Sequence, residues 1–334
     1  MIEPAAWDAA VAALNNARSA TVVGHVYPDG DALGSVLALS LALRRLGLEV
    51  TASFSEPYEL PTALAILPGR DLLVAPSQVP AAPELLIAVD TASVARLGTL
   101  ADRADTAGTL LVIDHHASNA GFGALRLIDP DAAAAGLVVA GLIDRLGIAY
   151  DAPIASCLYA AISSDTGSFR FGSTTAEVHR LAARLLETGI PHDAIARALF
   201  DTHPAGWLSM LAATLGRVEF DRSALGGAGV VWTSVRIADL TGNGLPFGHA
   251  ETVVDVLRTV EDADVAVVFK EREPGLWIVS TRSRGAVDVG SVCVALGGGG
   301  HRLAAGYTAH GPLEQAVRTL RLALEQDGAS RVSA

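Results

Sequence analysis

The sequence predicts an α/β protein of two domains, and three observations support this prediction. Short apolar runs alternate with Ala- and Leu-rich segments of helical spacing through the first half, a pattern typical of βαβ units around a parallel sheet. A chain of 334 residues is long enough for two sizeable cores. Turn-forming residues over 221–229 precede a second, smaller set of strands and helices. We therefore expect a parallel-sheet domain over 1–190, a helical linker over 191–222 and a smaller α/β domain over 223–330.

The elements of the first domain follow from its hydrophobic pattern. Apolar runs over 21–24, 85–89 and 109–113 have the length and composition of buried strands. Gly47 ends a helix whose last turn carries two arginines, as suits a helix C-terminus. Helical spacing predicts helices over 32–46, 136–146, 153–162, 175–188, 194–199 and 207–218.

The second domain is predicted to begin with a strand over 230–235. A helix over 251–260 follows, and then two paired strands over 264–269 and 277–281. An amphipathic pattern over 313–324 predicts the last helix.

Polar side chains follow the apolar segments of the first domain at the point where each segment ends. Because ligands bind at the carboxyl ends of the strands in a parallel sheet, we expect these side chains to meet at one edge. We place both Asp90 and Asp165 at strand ends, although the spacing over 153–162 is also helical. The candidate metal ligands are His25, Asp29, Asp31, Asp90, His115 and Asp165.

This set suits two divalent cations held about 3.5–4 Å apart. Carboxylates and neutral imidazoles favour Mn²⁺, Mg²⁺, Co²⁺ or Zn²⁺, and we expect Mn²⁺, with Co²⁺ or Mg²⁺ as alternatives. Asp90 stands alone at its strand end and is the natural bridge between the two ions. Without metal the carboxylates would repel one another, and bound metal would lower the pKa of a bridging water toward neutrality.

Each part of this set also has a purely structural interpretation. Residues 28–31 form a good turn, and Asp90 by itself is equally typical of a helix N-cap. His115 and His116 by themselves are typical of a strand-end pair satisfied within the protein. Independent turns and caps need not all follow apolar segments, so their joint occurrence favours the metal site.

A second candidate site lies in the second domain. Four glycines over 297–300 precede His301 and would let backbone amides approach a phosphate closely. Arg282 and Arg284 lie at the end of a strand, where alternation places them on one face. A flexible turn and solvent-facing arginines remain alternatives, and His301 could contact a phosphate, stack on a base or cap the loop. The candidate substrate-binding residues are Arg282, Ser283, Arg284, Gly298, Gly299, Gly300 and His301.

Composition limits the class of partner. The formal net charge is −12, whereas proteins that track long nucleic acid present a basic face. The charge therefore favours small nucleotides and very short RNA over long nucleic acid. Although 51% of the residues are apolar, we find no membrane-spanning run and no signal-peptide core. Cys157 and Cys293 lie in apolar segments without redox spacing, so a reducing cytoplasm is the expected location.

Five motifs in this order resemble those of the DHH phosphoesterase family. They are H-x-x-x-D-x-D over 25–31, the aspartate at 90, D-H-H over 114–116, D-T-G over 165–167 and, as in the accompanying DHHA1 domain, G-G-G-H…A-A-G over 298–306. The resemblance extends over nearly the whole chain. It is strongest with the nanoRNase and phosphoadenosine-phosphatase branch, whose actinobacterial members also hydrolyse cyclic di-AMP.

The resemblance implies a role for each candidate residue of the first domain. His116 would be directed at the phosphate, and the segment 132–136 departs from the family because many relatives carry Ser or Thr where this chain has alanines. Any hydroxyl contact from that segment is therefore in doubt. The implied catalytic residues are His116, Asp114 and Asp90. The implied ligands are His25, Asp29 and Asp90 for one metal, and Asp31, Asp90, His115 and Asp165 for the other.

The resemblance also implies a two-metal hydrolase with its active site in the cleft between the domains. Its expected substrates are cyclic di-AMP, the linear product pApA, RNA oligomers of a few residues (nanoRNA) and 3′-phosphoadenosine 5′-phosphate. The rivals are a single-strand exonuclease of the same family, a manganese-dependent inorganic pyrophosphatase and a non-catalytic cyclic-dinucleotide receptor. The acidic charge disfavours the exonuclease, the glycine motif disfavours the pyrophosphatase, and the full ligand set disfavours the receptor. Ala- and Leu-rich helices suit packing across a two-fold axis, so we expect a homodimer.

Overall fold

The computed structural model describes residues 1–332, and side chains over 1–326. The chain divides into two compact units, Met1–Thr202 and His203–Ala334. The predicted linker over 191–222 is shared between them, since its first helix packs in the first unit and its second helix packs in the second.

The first unit is built on a five-stranded parallel sheet with strand order β2-β1-β3-β4-β5. This order reverses between β1 and β3, and such a switch point opens a crevice at the carboxyl ends of the strands. The strands are β1 (Ser19–Val23), β2 (Glu49–Ser53), β3 (Leu85–Val89), β4 (Thr109–Asp114) and β5 (Leu125–Ile128).

Five helices of the first unit agree with the prediction to within a few residues, and two more, the first and the third, were not predicted. They are α1 (Pro4–Asn16), α2 (Gly30–Arg45), α3 (Asp102–Thr106), α4 (Ala135–Arg145), α5 (Ala152–Asp165), α6 (Ala176–Leu186) and α7 (His192–Phe200).

Glycines bring α2 and α5 into close contact. A Cβ atom on Gly34 would lie 2.6 Å from the carbonyl oxygen of Cys157, and one on Gly30 would lie 2.6 Å from the Cβ of Ser164. Because no side chain fits at either position, the two helix backbones approach closely. The C-terminal end of α5 therefore lies beside the N-terminal end of α2.

The second unit contains a six-stranded mixed sheet with strand order β10-β11-β9-β8-β7-β6. Of its pairs, β7 and β8 run parallel, and the others are antiparallel. The strands are β6 (Glu219–Asp221), β7 (Val230–Val235), β8 (Val265–Glu273), β9 (Leu276–Ser283), β10 (Gly299–His301) and β11 (Ala304–His310).

Both faces of this sheet carry core residues, because successive side chains of a strand point to opposite sides. Val267 and Phe269 of β8 belong to one buried cluster, and Ala266 and Val268 belong to another. The helices of this unit are α8 (Gly206–Leu215), α9 (Ala224–Gly227), α10 (Ile237–Thr241), α11 (Val253–Leu257), α12 (Val289–Ala295) and α13 (Leu313–Val332).

Several predicted elements of the second unit differ in extent from the observed ones. The helix predicted over 251–260 is limited to Val253–Leu257 and follows a 3₁₀ turn over Phe247–Ala250. The central hairpin is longer than predicted, since β8 and β9 pair up to the turn at Gly275. Residues 299–301 of the glycine-rich segment form a strand rather than a loop. Within the described residues, no helix is both long enough and apolar enough to cross a membrane.

Candidate metal centre

The predicted ligands of the first unit gather at the carboxyl edge of its sheet, beside the switch point between β1 and β3. His25 follows β1, Asp90 follows β3 directly, and His115 follows the last residue of β4. Asp90 adopts a left-handed backbone conformation with φ 54°, which is uncommon for a residue other than glycine. This turn directs its carboxylate to the imidazoles on either side.

Asp165 reaches the same place from a helix, so its predicted position at a strand end is wrong. It is the last residue of α5, and the apolar run that precedes it lies within that helix, which is buried on all sides over 154–163. Close packing of α5 on α2 places its carboxylate 3.2 Å from Nε2 of His115. The helical alternative for 153–162 was the correct one.

A first group of potential ligands consists of His25, Asp29 and Asp90. Nε2 of His25 lies 3.5 Å from Oδ2 of Asp90 and 3.9 Å from Oδ2 of Asp29. Asp29 is also the N-cap of α2, because its Oδ1 accepts hydrogen bonds from the amides of Asp31 and Ala32. Asp29 can therefore cap α2 with Oδ1 and offer Oδ2 to a metal, so the turn predicted over 28–31 and the metal site are compatible.

A second group consists of Asp31, His115 and Asp165. Nε2 of His115 lies 3.5 Å from Oδ2 of Asp31 and 3.4 Å from Oδ1 of Asp90. Asp90 therefore directs one carboxylate oxygen to each group, as a bridging residue would. It caps no helix, since Ser93 is the N-cap of the next helical turn.

The second ring nitrogens of both histidines are oriented by backbone carbonyls. Nδ1 of His25 lies 2.8 Å from the oxygen of Val26, and Nδ1 of His115 lies 3.1 Å from the oxygen of Ala132. Nδ1 of His25 also lies 3.0 Å from Arg96 Nη2, but the carbonyl is its closer partner. With Nδ1 donating to a carbonyl, each neutral ring directs an Nε2 lone pair at carboxylates. This is the tautomer of a metal-bound histidine.

Asp31 is completely buried and is held by the start of α4. Its Oδ2 accepts from the amide of Ala135 at 2.6 Å, and its Oδ1 accepts from Gly136 at 2.9 Å and from Ser35 Oγ at 3.0 Å. Helix α4 has no side-chain cap of its own, because its N-cap residue is Ala134. The segment 132–136 therefore contributes through its backbone, and the missing hydroxyl leaves this arrangement intact.

These distances fit divalent ions. Ligands about 2.1 Å from a common ion at tetrahedral or octahedral angles lie roughly 3.0–3.5 Å apart, which matches most of the nitrogen–oxygen separations in both groups. Oδ1 of Asp90 is buried and accepts no hydrogen bond from the described residues. A buried carboxylate oxygen in that position requires a cation or a proton.

When no metal is bound, the buried histidines and carboxylates of the site shift one another's pKa values. Burial lowers the pKa of His115, but the neighbouring carboxylates of Asp165 and Asp90 outweigh it, and the pKa of His115 lies well above its usual value. Burial, followed by the charges of Asp90 and Asp165, raises the pKa of Asp31. Burial would also raise the pKa of Asp90, yet the nearby imidazoles of His115 and His25 hold it well below its usual range.

His116 is oriented differently from His115. Its Nδ1 lies 2.8 Å from Oδ1 of Asp114, while Oδ2 of that buried carboxylate accepts from Asn119 Nδ2 at 2.6 Å. Asn119 also donates to the carbonyl oxygen of Thr91. Asp114 therefore holds the ring of His116.

Strand register places two of the candidate residues of the second unit on one face of its sheet and separates them from the others. Arg282 pairs with Ala304, which pairs with His301, so the three side chains lie in a row on one face of the sheet. Arg284 lies just beyond β9 and donates to the carbonyl oxygen of Val260, which supports its structural alternative.

Ser283 is engaged within the protein. Its Oγ donates to Asp264 Oδ2 at 2.9 Å and accepts from the amide of Gly285 at 3.0 Å. Asp264 also accepts from the amides of Ala286 and Val287, so it organises the whole turn after β9. Ser283 therefore anchors the turn that follows Arg282.

The glycine-rich segment is held by backbone contacts. The amides of Gly297 and Gly298 donate to carbonyl oxygens of α12, so neither amide is available to a phosphate. A Cβ on Gly298 would lie 2.1 Å from the oxygen of Gly306, and Gly300 has φ 135°. Gly299 has open space around it. Glycine is thus required at 298 and 300 for packing of the hairpin.

Sequence reasoning missed several residues that shape the metal centre. Asn119 and Ser35 hold Asp114 and Asp31, and Arg96 contacts His25. Ser35 follows Asp31 by one helical turn, so the helical period could have identified it. Nothing in the sequence pattern identifies Asn119 or Arg96.

The chain matches the models of two domain families. The DHH family N-terminal domain matches residues 19–162, and the DHHA1 domain matches residues 230–326. The bifunctional oligoribonuclease and PAP phosphatase NrnA of Thermus thermophilus is 35% identical over 307 residues, covering 92% of this chain and 89% of that protein. The chain belongs to the DHH family.

Two further relatives are consistent with this membership. The Bacillus subtilis protein of the same name is 26% identical over 84% of this chain and 86% of its own length. The crystal structure of an exopolyphosphatase-related protein from Bacteroides fragilis superposes with a TM-score of 0.87 at 23% identity, covering 98% of each chain, and shows the same fold. The predictions of the DHH family, of its nanoRNase branch, of a parallel-sheet domain with a smaller α/β domain, and of a phosphoester hydrolase are confirmed.

Proposed function

We propose that this protein is a two-metal phosphodiesterase that hydrolyses cyclic di-AMP, pApA and nanoRNA to mononucleotides, and 3′-phosphoadenosine 5′-phosphate to AMP. The observation that supports it best is the orientation of His25 and His115, which direct two Nε2 lone pairs at buried carboxylates. Acceptors that face acceptors in a buried site require metal ions or protons between them, and metal ions satisfy both ring nitrogens and all the carboxylates at once.

We propose two bound ions, with Mn²⁺ as the expected metal and Co²⁺ or Mg²⁺ as alternatives. His25, Asp29 and Asp90 would hold one ion, and Asp31, Asp90, His115 and Asp165 the other. When bound, such ions supply Lewis acidity, a nucleophile at neutral pH and charge neutralisation at the phosphate. Carboxylates and imidazoles together favour these metals over calcium, which prefers oxygen ligands.

His116 is proposed to donate a hydrogen bond to the scissile phosphate or its leaving oxygen through Nε2. Its Nδ1 is bound by Asp114, so the ring presents the other nitrogen outward, and its side chain is 21% exposed. Burial lowers the pKa of His116, but the Asp114 hydrogen bond outweighs this effect, so the pKa is raised and a donating ring is favoured. A donor aimed at developing negative charge accelerates such reactions.

We propose that the second unit binds the nucleotide. Arg282 and His301 share one face of the sheet, with the small residue Ala304 between them, and Gly306 lies in the neighbouring row. This face could receive a base or phosphate between two polar side chains.

Small substrates are favoured by charge and by the relatives. The net charge of −12 opposes binding of long nucleic acid, and the curated relatives are named for oligoribonuclease and PAP phosphatase activity. Cyclic di-AMP is included among the proposed substrates because the sequence motifs resemble those of family members that hydrolyse it. A cytoplasmic location and a homodimer remain predictions, and light scattering would test the second.

The experiment is a substrate panel with purified protein in Mn²⁺. Cyclic di-AMP, pApA, an RNA trimer and 3′-phosphoadenosine 5′-phosphate are each incubated, and products are separated by chromatography. AMP from pApA and from 3′-phosphoadenosine 5′-phosphate is expected, and an Asp90→Asn variant excludes a contaminating enzyme. Tight binding of cyclic di-AMP without any turnover would instead favour a receptor, and processive degradation of long RNA would favour an exonuclease.

A further inference from the structure

An arginine outside every recognised motif lies against the metal centre. Arg96 belongs to the 3₁₀ turn Val94–Leu100 that follows β3, and its Nη2 lies 3.0 Å from Nδ1 of His25. That ring nitrogen already lies 2.8 Å from the carbonyl oxygen of Val26. In the tautomer that binds a metal, Nδ1 donates to this closer carbonyl and cannot also accept from the guanidinium, so Arg96 then gains no hydrogen bond from the ring.

The charge of Arg96 is not balanced by a neighbour. Among residues 1–326 no carboxylate forms an ion pair with it, although acidic residues outnumber basic ones by 36 to 24. The side chain is exposed, so its remaining N–H groups are accessible from solvent. An unpaired guanidinium beside a candidate phosphate-hydrolysing centre is suited to bind an anion.

The backbone around Arg96 is held firmly. Its carbonyl oxygen accepts from the amide of Val26 at 2.9 Å, which ties this turn to the loop that carries His25. Two residues later, Gly98 has φ 55°, and a Cβ there would lie 2.2 Å from Ser55 Oγ. These backbone contacts do not involve the guanidinium, so its removal should leave the turn in place.

The position relative to His25 indicates which part of an anion Arg96 can reach. Nε2 of His25 faces Asp90 and Asp29, whereas Arg96 approaches Nδ1, on the other side of the ring. The guanidinium is therefore displaced by the width of an imidazole from any phosphate that is hydrolysed next to Nε2. That displacement suits a neighbouring phosphate of the same molecule.

We infer that Arg96 binds a second, non-scissile phosphate of the substrate and so selects substrates that carry two phosphates. This inference rests on the proposed function, and it adds a specificity determinant in the first unit. pApA, cyclic di-AMP and 3′-phosphoadenosine 5′-phosphate each carry a phosphate near the one that is cleaved. A dinucleotide without a terminal phosphate, ApA, lacks this group.

The test compares pApA with ApA in the wild type and in Arg96→Ala. The wild type should prefer pApA, and Arg96→Ala should lose about 10- to 100-fold in kcat/KM for pApA, mainly through KM, because a charge-assisted contact is removed. The kcat/KM for ApA should change less than threefold. Arg96→Lys should recover part of the loss, since it keeps the charge but not the planar fork.

Two controls separate this role from a structural one. Bound Mn²⁺, measured by elemental analysis, should be the same in Arg96→Ala and in the wild type. Arg180→Ala removes an exposed arginine of α6 and should leave the ratio of the two substrates unchanged. Equal losses on pApA and ApA, or loss of metal, would overturn the inference and assign Arg96 to positioning of His25.

A binding measurement keeps this inference separate from the proposed activity. Calorimetry in Ca²⁺, in which turnover should be slow, compares 3′-phosphoadenosine 5′-phosphate with adenosine 3′-monophosphate. If the bisphosphate binds more tightly to the wild type and this difference disappears in Arg96→Ala, the inference is supported even if no substrate is hydrolysed. The absence of hydrolysis would refute only the proposed function. Equal affinities of the wild type for both nucleotides would overturn the inference even in an active enzyme.

Discussion

The carboxylate of Asp31 caps helix α4 through the amide of Gly136, at 2.9 Å. A side chain of α2 thus satisfies the start of a neighbouring helix, whose own N-cap is an alanine. The same carboxylate lies 3.5 Å from Nε2 of His115. The N-terminus of α4 therefore both stabilises the negative charge of Asp31 and sets its orientation toward the candidate metal.

Gly136→Ala should disturb this arrangement. The added Cβ would lie 2.7 Å from the Cβ of Ala161 and 3.4 Å from Oδ1 of Asp31, so α4 must move away from α5. We expect a loss of about 1–3 kcal/mol in stability and weaker metal binding. Gly141→Ala on the same helix is the control, because its nearest neighbour is the Trp7 side chain at 3.3 Å. Thermal unfolding and metal titration check both variants, and equal behaviour would show that the close approach at Gly136 is unimportant.

His116→Ala and His115→Ala should both lower activity, but for different reasons. His116 is bound through Nδ1 to Asp114, whereas His115 faces three carboxylates, so His115→Ala should lose metal and His116→Ala should retain it. Loss of the His116 donor should lower kcat by about 10²–10³. Elemental analysis together with kinetics on pApA separates the two. Equal metal loss in both variants would contradict this division of roles.

Asp90→Ala and Asp165→Ala should abolish hydrolysis and lower the metal content without unfolding the protein. Both carboxylates lie among other carboxylates, and burial, then repulsion from Asp29, raises the pKa of Asp165 even though His115 opposes the shift. Removing the charge of Asp165 should leave the metal-free melting temperature unchanged or higher, whereas Asp90→Ala should lower it, because the low pKa of Asp90 shows that its charge stabilises the fold. Wild-type turnover by either variant would refute the two-metal assignment.

Metal affinity should increase with pH. Burial opposes the shift, but the carboxylates of Asp165 and Asp90 raise the pKa of His115, which favours the protonated ring when no metal is bound, and a metal ion must displace that proton. Stability from protonated His115 is present below the unfolded pKa of about 6.5 and is lost as pH rises through the raised folded value. Titrations at several pH values should show proton release and tighter metal binding at higher pH. An affinity independent of pH would contradict this account.

Activity should vanish in chelator and return with Mn²⁺ or Co²⁺ more readily than with Ca²⁺. Two imidazoles belong to the candidate ligand set, and calcium prefers oxygen ligands. Phosphate release after stepwise metal addition measures the order. Full activity after exhaustive metal removal would rule out the proposed mechanism.

Much of the fold could be predicted because its signals are local. Strand β7 was predicted at its observed bounds, and α2 within two residues, since apolar periodicity and a helix-ending glycine act over neighbouring residues. The ends of β1, β3 and β4 likewise placed His25, Asp90 and His115 at one edge, because parallel strands end on the same side. The glycine-rich segment was predicted less well, as its strand forms only through pairing with β11.

The sequence by itself determined the family, the two domains and the identity of the candidate ligands, because these depend on residue type and spacing. The tertiary structure decided how Asp165 reaches the site, since the contact of α5 with α2 depends on glycines that make no local pattern. It also decided that Asp114 holds His116 and that Arg96 lies beside His25. Each of these relationships joins side chains through space rather than along one element, and only the folded chain brings them within hydrogen-bonding distance.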